Sequence, residues 1–152
     1  MNPLDTSPRE ILIDAIQSEF ETREWYRLLA GHAPTPEVRA RLLGLADDEL
    51  IHRARLERKF RDRFDEDPPD PRPVQIEIPR EQANLDMRRA LKLALDRERD
   101  SESKYRFLAE RAGTSEVSAL LMELADTEWH HKADLEAEYN RHSDPMDFLE
   151  DM

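Results

Sequence analysis

"LADDELIHRARL", residues 45 to 56, and "LADTEWHHKADL", residues 124 to 135, are one phrase written twice. Each sets a glutamate, Glu49 or Glu128, and three residues later a histidine, His52 or His131, into a stripe of leucine and alanine. The positions three, four and seven residues from Glu49 include Leu42, Leu45, Ala46 and Leu56, and those around Glu128 include Leu121, Leu124, Ala125 and Leu135. On a helix such spacing shares one face. Both acids therefore point into apolar surroundings, where an unpaired carboxylate is costly.

Outward from these phrases the repetition continues. A shift of 79 positions lays "AIQSEFETREWYRLLA" (15 to 30) on "ALDRERDSESKYRFLA" (94 to 109), with Glu19 on Glu98 and Tyr26 on Tyr105. Without a gap, the same shift places Asp47 on Asp126, Glu49 on Glu128 and His52 on His131. Glu19 is flanked by Leu12, Ala15, Ile16 and Tyr26, and Glu98 by Leu91, Ala94, Leu95 and Tyr105, so these acids also face a core.

Punctuation divides each repeat into two helices. Ser7-Pro8-Arg9-Glu10 reads as a capping box with proline at the first helical position, and Gly31 can close the helix it opens. Thr35-Pro36-Glu37 starts a second helix, expected to run to about Arg63. Residues 65 to 79, "DEDPPDPRPVQIEIP", hold five of the ten prolines and must be an extended connection. A third helix is expected from about Arg80 to Ala112, with Gly113 as its cap, and a fourth from Thr114 to about Arg141. The acidic tail from residue 142 to 152 has room for one further turn. The expectation is a single all-α domain over 1–152: hairpin 8–63, long Pro-rich crossover 64–79, hairpin 80–141, arranged as a four-helix bundle of ferritin-like connectivity.

At about 1.5 Å of rise per residue, Glu19 and Glu49 lie roughly 17–20 Å from the turn that joins their helices, and Glu98 and Glu128 repeat this. Four carboxylates at one level repel each other and require compensating cations. The stripes around them hold no lysine or arginine, whereas two divalent ions would balance four carboxylates. His52 and His131 offer each ion a nitrogen ligand, and Glu-x-x-His spacing is what di-metal bundles use. One such spacing is weak evidence in a glutamate-rich chain; two at repeat-equivalent positions, each with a core-facing glutamate upstream, are strong.

Composition excludes other classes. Lys+Arg 23 against Asp+Glu 35 gives a net charge of −12, unsuited to nucleic acid or an anionic membrane surface. The absence of cysteine removes disulfides, zinc ribbons, iron–sulfur clusters and thiol nucleophiles. The first residues do not read as a signal peptide, and no apolar run approaches the roughly 20 residues of a membrane span, so a cytoplasmic location is expected.

The chain resembles the rubrerythrin branch of the ferritin-like di-iron carboxylate superfamily, through Glu19 with Tyr26, Glu49 with His52, Glu98 with Tyr105, and Glu128 with His131. That resemblance implies Glu19 and Glu98 as terminal ligands, Glu49 and Glu128 as bridges, and His52 and His131 completing the shells of two iron ions. It also implies reaction with peroxide or dioxygen, as a peroxidase or ferroxidase in oxidative-stress or iron handling. Two departures are plain. Rubrerythrins proper carry a cysteine-ligated rubredoxin domain, so here an external electron donor is required. They also place a further glutamate three residues after the third-helix ligand, where this chain has Ser101, which moves the expected site toward a simpler six-ligand oxidase or ferroxidase. Manganese fits the same donors, leaving a manganese catalase open. An iron-storage assembly and a non-enzymatic, metal-binding interaction module also fit the pattern. A homo-oligomer, in the simplest case a dimer, is expected.

Tyr26 and Tyr105 are candidates to donate to ligand carboxylates or to relay electrons, or to be plain core tyrosines. Asp47 and Asp126 either bond a histidine on another helix or sit on a solvated face. Glu102 is at best an occasional ligand, and His32, His130 and His142 read as surface residues. Gly44 marks either close helix approach, an access point or a tolerated substitution.

Overall fold

The computed structural model describes residues 7–77, 85–113 and 115–142. Four helices account for most of them: α1 (Pro8–Gly31), α2 (Pro36–Phe64), α3 (Met87–Arg111) and α4 (Glu116–Arg141). Each begins at a side-chain cap. Ser7 accepts from the backbone N–H of Glu10, Thr35 from Val38, Asp86 from Arg89 and Ser115 from Ser118. This satisfies donors that a helix start otherwise leaves orphaned.

The caps also correct the expected boundaries. The third helix starts at Met87 rather than near Arg80, because Asp86 caps it; residues 80–84 lie outside the described residues. The fourth is capped by Ser115, and Thr114, like the tail from residue 143 onward, lies outside them too. Gly113 ends the second hairpin's first helix at φ 72, a left-handed conformation that glycine adopts without a Cβ clash. Gly31 remains inside α1, and His32 follows as the cap. Gly44 is exposed, and a Cβ built there meets nothing within 4 Å, so it marks no close helix approach.

The helices pack as two hairpins, α1 with α2 and α3 with α4. Ion pairs Arg41–Glu138, Arg55–Glu123 and Lys59–Glu116 stitch α2 antiparallel to α4. Lys104–Asp14 and Arg97–Thr22 do the same for α3 and α1. The order around the bundle is therefore α1, α2, α4, α3.

From Asp65 the chain runs without helix along α1. Glu66 meets Arg9, and further along the Gln17 side chain brackets the backbone of Arg72: its Nε2 donates to the carbonyl at 3.0 Å and its Oε1 accepts from the N–H at 2.8 Å. A proline-rich strap cannot satisfy its polar backbone by itself, and this buried amide does so. Apolar side chains fill the bundle as two clusters at opposite ends. One gathers Leu12, Ile16, Phe60, Leu108 and Leu121, the other Tyr26, Leu29, Leu42, Leu91 and Leu135. The shared spacing of the two repeats leaves the layer between them polar. Glu19, Glu49, His52, Glu98 and Glu128 are buried there.

Candidate metal centre

Each helix delivers one glutamate to that middle layer, and α2 and α4 add the histidines one turn later. Glu49, Glu98 and Glu128 have no solvent exposure, and Glu19 has 3%. One donor atom from each of Glu19, Glu49, His52 and Glu128 lies within 4.8 Å of all the others, and His52, Glu128 and His131 form a second, overlapping group. The two imidazoles stack nearly parallel, their centroids 5.7 Å apart. Glu128 thus belongs to both groups, at the middle of the layer.

Glu98 is placed differently. It lies in the same layer but outside both donor groups, and its Oε1 accepts a hydrogen bond of 3.1 Å from the Tyr26 hydroxyl across the α1–α3 seam. The repeat-equivalent bond, Tyr105 to Glu19, is not made: the buried Tyr105 hydroxyl has no partner.

Most polar atoms of the layer are left without hydrogen bonds. Both oxygens of Glu49 and of Glu128, Oε2 of Glu19 and of Glu98, and Nδ1 of His52 and of His131 are buried with no partner. His52 Nδ1 lies 2.9 Å from Glu128 Oε1, yet the pair lacks hydrogen-bond direction. Buried groups of this kind are normally satisfied, and each left unmade is expensive. Their convergence fits divalent cations, which carboxylate oxygens and neutral imidazoles coordinate together.

Without a cation the layer resists ionisation. Burial pushes the Glu19 carboxyl up to about 8 against the lowering effect of its contact with Glu49; the charge of Glu128 adds to the rise, while Lys104 and Arg97 also pull against it. Glu49 is raised well above the carboxylate range, by burial first and then by Glu19 and Glu128. The Tyr26 phenol is raised too, by burial and by the same acids. Burial alone would lower His52, but its contact with Glu128 and the charges of Glu49 and Asp48 outweigh it and raise the imidazole.

These features belong to a known group of proteins. The rubrerythrin family model matches residues 10–139. The chain belongs to the rubrerythrin family. A solved structure of a hypothetical protein from Pyrococcus furiosus aligns with this rubrerythrin-family chain at a TM-score of 0.62, with 28% identity, covering 91% of this chain and 92% of the other. No curated protein matches the chain.

The remaining candidate residues fall outside the layer. Glu102 is held by Lys132 at 2.8 Å and Arg106 at 2.9 Å, which pull its carboxyl below the usual range, and so it is engaged away from the centre. Asp47 is exposed, and Asp126 pairs with Arg106 rather than with a histidine. Besides the layer's own glutamates, Asp48 also bears on His52, a residue that sequence reasoning passes over although it sits one turn before the histidine. His32, His130 and His142 are exposed, His130 lying edge-on to Trp129. Among the described residues no helix is long and apolar enough to cross a membrane.

Proposed function

We propose that this rubrerythrin-family chain is a di-metal oxidoreductase, with iron as its metal, that reacts with peroxide or dioxygen and takes electrons from a separate donor. The observation that carries this reading is the set of buried carboxylate oxygens and imidazole nitrogens that converge without partners. Glu19 and Glu98 would bind one ion each from the α1 and α3 side, Glu49 and Glu128 would bridge, and His52 and His131 would complete the two shells.

Bound there, iron supplies a redox couple that can pass electrons to an oxidant. The protein's own groups prepare that chemistry. Two apolar clusters above and below keep water from the layer. The Tyr26 hydroxyl holds Glu98 in one orientation through its hydrogen bond. Glu19, which holds its proton up to about pH 8 in the metal-free chain, must release it when a cation arrives, so loading is coupled to proton loss. None of the 152 residues is a cysteine that could ligate a rubredoxin-type centre, which supports assigning the electrons to a separate donor.

Anomalous diffraction at the iron and manganese edges, on protein loaded with each metal, would give identity, count and ligands together. Ferrous-loaded protein is then assayed with hydrogen peroxide plus an electron donor, and separately for aerobic oxidation of ferrous iron. Activity above free metal in either assay is expected. Failure in both, with a catalase assay on manganese-loaded protein also negative, would refute the enzyme reading.

A further inference from the structure

The internal repeat allows the two ends of the α1–α3 seam to be compared residue by residue. Beside Glu98, the seam is sealed. The Arg97 guanidinium donates to the Thr22 hydroxyl at 3.1 and 3.3 Å and stacks over the Trp25 ring at 5.2 Å. Trp25 is buried, and the neighbouring Tyr26 hydroxyl is occupied by Glu98.

Beside Glu19 the same positions carry different residues. Ser18 stands where the repeat has Arg97, Ser101 where it has Thr22, and Lys104 where it has Trp25. These three line a cleft together with Glu19 and Tyr105. No guanidinium or indole fills it, and Tyr105, only 3% exposed and with an unpartnered hydroxyl, is among its lining residues. As it stands the cleft has no room for a water molecule. Its outer lining includes Lys104, whose Nζ lies 3.4 Å from Asp14 and whose side chain is 38% exposed. An exposed lysine–carboxylate pair is weak and its long stem is mobile.

We propose that the α1–α3 seam at Ser18 and Ser101 is the access route to the metal centre for a small uncharged oxidant such as hydrogen peroxide, with the Lys104–Asp14 pair as its movable cover. The inference rests on the di-metal reading above and extends it to the path by which the oxidant reaches the centre. The narrow cleft and the ammonium group at its mouth favour a neutral molecule over a hydrated cation. The serine hydroxyls and the free Tyr105 hydroxyl offer hydrogen bonds to a peroxide along the way. The sealed end leaves Glu19, not Glu98, as the carboxylate that such a molecule meets first.

Nitric oxide is a suitable probe, being small, neutral and able to bind ferrous iron without turnover. Its association with the ferrous-loaded protein is followed by absorbance, alongside single-turnover oxidation by hydrogen peroxide and metal content. Ser101→Leu and Ser18→Leu are expected to slow both rates by about tenfold with metal content unchanged, and Lys104→Ala to speed them. Wild-type association rates in the two leucine variants would overturn the route. Should either leucine variant lose helicity, Lys104→Ala decides, and an unchanged rate in it overturns the proposal. Route-dependent nitric oxide binding without any peroxide reaction keeps the route and removes the enzyme reading; a chain that binds no iron removes both.

Discussion

Glu128 and Glu19 are both buried glutamates of the same layer, yet they differ in how many neighbours depend on them. Glu128 contributes to both donor groups, whereas Glu19 contributes to one. Glu128→Ala should therefore strip both ions and reduce oxidant turnover by about 100-fold or more. Glu19→Ala should empty one position first and spare the other, which keeps its histidine. Glu102→Ala should leave occupancy close to wild type, since its carboxylate is engaged by Lys132 and Arg106. Plasma emission analysis of the purified variants measures all three. Equal metal loss in all of them would show that the assigned roles are wrong. The candidate ligands are legible in the sequence because burial on a helix follows from spacing alone, and each acid has leucine and alanine at three, four and seven residues' distance. Asp48 is not, since its influence on His52 is electrostatic and leaves no apolar pattern.

The helices owe their limits to local chemistry, and most of those limits can be read in advance. Ser7 with Pro8, and Thr35 with Pro36, cap α1 and α2 as their types dictate. The start of α3 departs from the sequence expectation because "REQANLD" has several residues that tolerate a helix, and only the cap that Asp86 makes to Arg89 singles out Met87. Gly44 is an interior glycine with a helical backbone and open space around its Cα. Gly44→Ala should raise stability by about 0.5–1 kcal/mol, by removing the entropic cost of glycine in a helix. Thermal unfolding followed by circular dichroism tests this, and a lower melting temperature would mean that a methyl group is not accommodated there.

The bundle as a whole carries its cost in the polar layer, so its stability is tied to cations and protons together. Removing metal with a chelator should lower the melting temperature by roughly 10 °C relative to protein in free ferrous iron at about a thousand times its dissociation constant, and adding that iron back should restore it. Coincident melting curves with and without metal would rule out a cation-balanced layer. In the metal-free chain Glu19 has a folded pKa of about 8 against an ordinary value of 4.5. Its protonated form is the one the fold prefers, so its contribution is fully present below 4.5 and is lost as pH rises through about 8. Glu49 acts in the same direction. Chelated protein should accordingly melt at lower temperature at pH 8 than at pH 5, while iron affinity rises over that range as protons leave the ligands. Calorimetry across this range checks both slopes.

The four-helix plan, the duplication that relates its halves, and the four acids and two histidines that face inward all follow from the order of residues alone. They rest on short-range rules, the helical period and the caps, together with a repeat that doubles each signal. The residues in which the halves differ, such as Ser18 against Arg97, stand in the sequence, but what those differences do is set by packing. Tyr26 bonds Glu98 while Tyr105 leaves Glu19 free, Arg97 seals one end of the α1–α3 seam, and the strap held by Gln17 runs over α1. Equivalent residues meet unequal neighbours across these seams. Those neighbours come from segments more than fifty residues apart, brought together only by the packing of whole helices.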